Sequence, residues 1–175
     1  WRLFALTIDY NQRHRIELQA AARVAEALGA ERHVVLPLDL TQFGGSALTD
    51  GGISVPKGGV APGIPVTYVP ARNTIFLSLC LGWAEAVGAR DIAIGVNALD
   101  YSGYPDCRDD TLKALQATLN LGMETRLVVD TPLMWIDKAQ TWQMACALGQ
   151  ATGLPNGGQQ LVDLIVEHSH TCYLG

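Results

Sequence analysis

The stretch LFALTIDYNQRHRIELQAAARVAEALGAERHVVLPL, residues 3–38, decides how the fold is read. Leu3 to Ile8 is a short apolar run that stops at Asp9, the pattern of a strand covered on both faces in a parallel sheet. After it, Ile16, Ala20, Val24 and Leu28 recur four apart, which puts them on one face of a helix that Gly29 closes. His33 to Leu38 predicts a second strand. A strand, a helix and a strand in close succession form the crossover that two parallel strands need.

The same alternation continues outward. Thr41 to Thr67 is rich in Gly and Pro, too long for a simple connection, and reads as a mobile lid. Asn73 to Val87 is a helix apolar nearly all round, which belongs at the centre of a core. Asp91 to Val96 predicts a third strand that stops at Asn97, followed by a polar, aromatic loop from Ala98 to Arg108. Asp109 or Asp110 is placed to cap the next helix, with Leu112, Leu115 and Leu119 facing inward before Gly122. Arg126 to Asp130 predicts a fourth strand, and Asp137 is placed to cap a helix carrying Ala139, Trp142 and Leu148. The chain then reads as looser through residues 153–158, until Leu161 to Val166. Strands alternating with helices predict an α/β fold with a mostly parallel sheet. Ligands of such sheets bind beyond the carboxyl ends of the strands. Those ends carry Asp9-Tyr10, Asn97 to Arg108 and Thr131 to Lys138, where the unusual polar residues gather.

Composition narrows the function classes. The 175 residues are 49% hydrophobic and 17% charged, which places the chain among globular proteins. Net charge is −5 and the basic residues are scattered apart from Arg13-His14-Arg15, so a nucleic-acid surface, which needs a basic stripe, is not expected. The longest apolar candidate, Ile75 to Val87, is broken by Ser78, Gly82 and Glu85 and suits a buried helix better than a membrane span. Trp1-Arg2-Leu3 does not read as a signal peptide, and the absence of an initiator Met hints at truncation. Cys80, Cys107, Cys146 and Cys172 follow no disulfide-scaffold spacing, which predicts a reducing, cytoplasmic setting.

Several segments carry chemistry on their own terms. Asp9 to His14 joins a strand end to a helix start, where backbone N–H groups favour phosphate or ribose contacts and Arg13 adds a cation. The plainer alternative is a solvated helix start with a local Asp–Arg pair. Arg72 and Asn73 stand where a Pro-containing loop meets the apolar helix; the guanidinium suits a phosphate, and Asn73 reads as a helix cap. Lys138 follows Asp137 at a helix start, placed to stabilise negative charge on a phosphate or simply to face solvent. Cys107 reads poorly as a nucleophile, since no His stands in a partner motif. His168, His170 and Cys172 alternate so that a strand would put three metal ligands on one face.

Four segments together, TIDYNQRH (7–14), VPARN (69–73), SGYPDCRD (102–109) and TPLMWIDKAQT (131–141), resemble the 7-cyano-7-deazaguanine synthase family of PP-loop ATP pyrophosphatases. Their order and spacing fit as well, and the resemblance covers nearly the whole chain. It implies a Rossmann-like three-layer sandwich of the adenine nucleotide alpha hydrolase type. It also implies conversion of 7-carboxy-7-deazaguanine and ammonia to the nitrile, with release of AMP and diphosphate, in queuosine precursor biosynthesis. The chain departs from the family pattern at Asn11, which stands at a usual Gly; Asn tolerates positive φ better than most residues. Residues 153–158 look longer than usual. The family pattern opens with a strand and an SGG-x-DS phosphate loop, and closes with a CGxCxxC zinc cluster after the position of Cys172. The expectation is therefore a portion of the complete enzyme, with residues 1–150 as the ATP-binding domain and 151–175 leading into the zinc motif.

On this resemblance the candidate ATP contacts are Asp9, Tyr10, Gln12, Arg13, Arg72, Asn73 and Gly95, with Arg72 and Lys138 as the catalytic cations. For the base, a guanine-like edge offers N1–H and an exocyclic amine that one carboxylate, Asp100 or Asp106, accepts together. Tyr101 or Tyr104 stacks on the ring, and Arg108 pairs with the substrate carboxylate. An ordinary turn built by Gly103 and Pro105 is the plainer account of that loop. The implied cofactors are ATP, Mg2+ and, through Cys172, Zn2+; a homodimer is implied too. Rival readings are another PP-loop enzyme, tRNA-modifying or amide-forming, and a nucleotide-binding remnant without catalysis.

Overall fold

The computed structural model describes residues 1–56, 63–97 and 103–170. In chain order the elements are β1 (Phe4–Asp9), α1 (Ile16–Ala27), β2 (Arg32–Pro37), α2 (Arg72–Val87), β3 (Asp91–Ala93), α3 (Asp109–Leu121), β4 (Val128–Asp130), α4 (Lys138–Ala151) and α5 (Gly157–His168). Single 3-10 turns cover Thr41–Phe43 and Pro105–Cys107. The chain divides into two compact units, Trp1–Val55 with Lys138–Gly175, and Pro56–Asp137. The boundary expected near residue 150 falls at the end of α4. No described helix is long and apolar enough to cross a membrane.

The expected α/β order is present, and every strand pair is parallel. Among the described residues the strands form two such pairs. β1 runs beside β2 from Phe4 opposite Arg32 to Asp9 opposite Pro37, and β3 beside β4 from Asp91 opposite Val128 to Ala93 opposite Asp130. A strand in a two-stranded sheet has one ladder partner, so less of it is covered than the apolar runs predict. In β1 only Ile8 is buried, and in β2 Val35 is exposed.

In the first unit α1 buries Ala20 and Ala25, while Ile16 and Leu28 at the ends of the expected stripe stay exposed. The face of α4 also differs from the sequence reading. Trp142 and Leu148 are exposed, and Ala145 and Gly149 are buried. The cause is the approach of α5, which begins at Gly157, ahead of the expected Leu161. A Cβ added to Gly149 would lie 2.2 Å from the Gly157 carbonyl oxygen, and one on Gly158 would lie 2.8 Å from the Cys146 carbonyl oxygen. Small residues let the two backbones touch where larger ones would hold them apart. His168 is the last residue of α5, so the His168–His170 alternation is not on a strand and does not put those side chains on one face.

Within the segment expected to be a mobile lid, Ser46, Ala47 and Leu48 are buried and the Leu48 carbonyl accepts the Arg13 N–H at 3.0 Å, while Phe43, Ile64 and Val66 are exposed. Residues 57–62 of that segment lie outside the described ones.

The second unit holds the hydrophobic core that the sequence assigned to α2. Leu77, Leu81 and Ala84 pack with Ile92, Val96, Leu112, Leu127 and Met134. Each buried leucine side chain contributes roughly 1.5–3 kcal/mol. Leu115 and Leu119 of α3 pack against this core as expected. Asn120 ties α3 to the start of β4: its side chain donates to the Leu127 carbonyl at 2.8 Å and accepts the Leu127 N–H at 3.0 Å.

The α4–α5 contact gives a direct test. Gly149→Ala is expected to lose about 3 kcal/mol in urea unfolding, because backbone must move to admit one methyl group. Gly29→Ala, at φ +67 with nothing within 4 Å of the new methyl, is expected to lose only about 1 kcal/mol.

Candidate functional site

The turn after β1 is built from its own side chains. Asp9 ends the strand, and its Oδ1 accepts the Asn11 N–H at 3.2 Å while Oδ2 pairs with the Arg15 guanidinium. The local Asp–Arg pair foreseen for this turn therefore exists, with Arg15 as its cation. Asn11 sits at φ 62, in the left-handed region where the family pattern has glycine. Gln12 is buried and its Oε1 accepts the N–H of Tyr10, also buried, at 3.1 Å. Arg13 is exposed; besides its amide bond to Leu48, its Nη1 lies 3.5 Å from the Ile53 carbonyl. Lys138, in the same unit, is exposed as the first residue of α4.

The second unit brings two of the sequence-selected segments into contact. Ala71, immediately before α2, is in the left-handed region (φ 55) and supplies no capping side chain. Its N–H donates to the Tyr68 hydroxyl at 2.9 Å, and the Arg72 N–H returns to the Val69 carbonyl at 3.1 Å. Arg72 is half-buried as the first residue of α2. Asn73 was read as the cap of this helix. The structure places it inside the first turn, where it is itself capped: its N–H donates to Asp106 Oδ2 at 2.8 Å, and its Nδ2 lies 3.0 Å from Cys107 Sγ. Asp106, 4% exposed, thus supplies from 33 residues downstream the acceptor that a helix start takes from its own cap residue.

Tyr104 is buried, its hydroxyl 2.6 Å from Thr67 Oγ1 and its ring centroid 5.7 Å from that of Tyr68. Arg108 is exposed and occupies the N-cap position of α3, so Asp109 and Asp110 stand in the first turn and neither is the cap. There Asp109 pairs with Lys113 at 2.6 Å. Gly95 follows β3, and among the described residues a Cβ there would meet Leu133 Cδ1 at 3.8 Å, an ordinary van der Waals contact. Asn97 binds the Ile136 carbonyl, joining the segments that follow β3 and β4. Asp100, Tyr101 and Cys172 lie outside the described residues. Tyr68 is the participant that sequence reading missed; only its place just ahead of VPARN pointed to it.

Cys107 does not have the electrostatics of a nucleophile. Burial pushes its thiol up to about 11, the Asp106 carboxylate adds to the rise, and the Arg72 charge opposes it. A neutral thiol is what the local bonds require, since Sγ faces the Asn73 Nδ2 donor and lies 3.9 Å from Asp106 Oδ1 as an acceptor for its own proton. Among the described residues no group of three His, Cys, Asp or Glu side chains is placed to hold a metal ion. His170 Nε2 is buried with no hydrogen-bond partner among the described residues, but one imidazole is not a zinc site.

Parallel strands whose carboxyl ends lead into polar, buried-bonded loops define an α/β protein of the small-molecule-binding kind. The family model described as queuosine biosynthesis protein QueC matches residues 1–175. A 7-cyano-7-deazaguanine synthase from Rhizorhabdus wittichii is 62% identical over 157 residues, 87% of this chain and 68% of that protein. Proteins of the same name from Novosphingobium aromaticivorans and Ralstonia pickettii are 55% and 54% identical, the matches covering 87% and 86% of this chain and 67% and 70% of theirs. The chain belongs to the QueC family.

The thiol's environment predicts its reactivity. A folded-state value of about 11, above the roughly 8.5 of a free thiol, means that folding favours the protonated form, and the associated stability is lost as pH rises towards 11. Alkylation of Cys107 by iodoacetamide, followed by peptide mass spectrometry, is expected to be slow at pH 8 and to climb only above pH 10. Free-thiol reactivity at pH 8 would contradict the buried, neutral thiol.

Proposed function

We propose that this protein is an ATP-dependent ligase that converts 7-carboxy-7-deazaguanine and ammonia to 7-cyano-7-deazaguanine, with release of AMP and diphosphate, in the making of queuosine precursors. Family membership supports the reaction. The observation that carries the assignment of parts is the bond from Asp106 to the first turn of α2, which joins the segment assigned to the base to the one assigned to ATP.

A carboxylate oxygen of the substrate attacks the α-phosphorus of ATP and diphosphate leaves, giving an acyl adenylate. Ammonia displaces AMP and the amide forms. The amide oxygen then attacks a second ATP, diphosphate leaves again, and loss of AMP and protons yields the nitrile. Little covalent chemistry falls to the protein, whose work is positioning and charge stabilisation. Arg72 and Lys138 neutralise charge on the departing diphosphate. Asp9, Tyr10, Gln12, Arg13, Asn73 and Gly95 shape the nucleotide site. Arg108 pairs with the carboxylate of the base, Tyr101 or Tyr104 stacks on its ring, and a carboxylate of the same loop accepts its two N–H donors.

Mg2+ enters as the partner of ATP. Zinc at Cys172 is assigned a structural part only, and no chemical step runs through it. The enzyme works in the cytoplasm as a homodimer; the free thiols of Cys80, Cys107 and Cys146 suit a reducing compartment.

The test is AMP release from ATP with 7-carboxy-7-deazaguanine and ammonium present or absent, with mass spectrometry of the base. AMP that depends on the base, and a nitrile product, are expected. Arg72→Ala and Lys138→Ala are each expected to lower kcat by about a hundredfold. AMP formation indifferent to the base would overturn the assignment.

A further inference from the structure

Resting on the assignment of Arg72 to the ATP phosphates, we propose that Tyr68, Asp106 and Cys107 are positioning residues that hold Arg72 by fixing the backbone on both sides of it, and that Asp106 does not read the base.

Arg72 sits between two residues whose amides are both held by side chains from elsewhere. Before it, Ala71 is in the left-handed region at φ 55. A residue with a Cβ is disfavoured there and stays only where its surroundings over-determine it. The Tyr68 hydroxyl takes the Ala71 N–H at 2.9 Å, and the Arg72 N–H closes the turn on Val69. After it, the Asn73 N–H is taken by Asp106 at 2.8 Å and the Asn73 amide group by Cys107 at 3.0 Å. With one neighbour strained and tied and the other doubly tied, the Cα–Cβ bond of Arg72 has little freedom to swing. Every atom of this arrangement belongs to one compact unit.

The ties come from the segment assigned to the base. Asp106 and Cys107 lie in the 3-10 turn after Tyr104, and the Tyr104 ring lies against that of Tyr68. Movement in this segment therefore reaches the turn that carries Arg72. The burial of Asp106 argues against a second task. At 4% exposure, with Oδ2 bonded to the Asn73 amide and Oδ1 facing the Cys107 thiol, both oxygens have partners inside the protein.

The two tasks for Asp106 separate in steady-state kinetics of base-dependent AMP formation. Asp106→Asn keeps an oxygen for the Asn73 N–H but replaces a carboxylate that would accept two donors. If Asp106 positions, this variant retains most of its turnover, with the KM for the base within about twofold. Asp106→Ala and Tyr68→Phe are each expected to lower kcat by about tenfold with that KM unchanged. In an Arg72→Ala background, which alone loses about a hundredfold, neither change is expected to cost more than about twofold further, because nothing remains to be positioned. If Asp106→Ala fails to fold, Tyr68→Phe carries the cycle.

A tenfold rise in the KM for the base in Asp106→Asn would overturn the inference, as would an undiminished loss from Tyr68→Phe when Arg72 is already absent. Either result would leave the ligase reading standing. Wild-type turnover in Arg72→Ala would instead overturn the phosphate role of Arg72, and this inference with it.

Discussion

Two parallel strands cannot be joined by a tight turn, and the chain must cross back over the sheet to begin the second one. Here α1 makes that return between β1 and β2, and α3 between β3 and β4. The consequence is that within each pair both carboxyl ends lie at one edge, so the loops leaving them are neighbours. That is why Asn97, after β3, reaches the carbonyl of Ile136, after β4. It is also why Leu38 and Leu40 donate to the carbonyls of Asp9 and Tyr10 just beyond the end of the β1–β2 ladder. Asp9, Tyr10 and Gly95, all assigned to ligands, stand at or just beyond these ends because the topology gathers loops there.

Gathering loops is not the same as ordering them, and the order comes from buried polar bonds. The start of α2 leaves N–H groups that the helix itself cannot satisfy. Asp106 supplies one acceptor from a distant part of the chain, and the cost of leaving that buried amide unpaired is what binds the two segments together. Gln12 does comparable work after β1, with a buried side chain that accepts the Tyr10 amide. In both places a side chain singled out in the sequence for ligand contact holds backbone in place.

Much of the fold was legible. The ends of β1, β2 and α2 fall within a residue or two of those read from the sequence, because the apolar runs mark them locally. Asn11 adopts the positive φ that its place in the motif implied. What stayed hidden depends on contacts between distant residues. The early start of α5 is set by Gly149 meeting Gly157 and Gly158, while two adjacent glycines read locally as loop. The burial of Ser46 and Ala47 follows from packing that no local pattern in a Gly-rich segment announces. The cap on α2 is the sharpest case: Asn73 is a good cap residue by type, and only the fold reveals that Asp106 performs that task.

The central claim is that ATP activates the carboxylate of the base, leaving the protein to position and to neutralise charge. The fate of the substrate's oxygens tests it most directly. With 7-carboxy-7-deazaguanine labelled with 18O in both carboxylate oxygens, each oxygen should leave on a phosphorus. One label is then predicted in each of the two AMP molecules formed per nitrile, with none in diphosphate. Label released to water, or confined to diphosphate, would contradict adenylate formation and with it the account of how this site works.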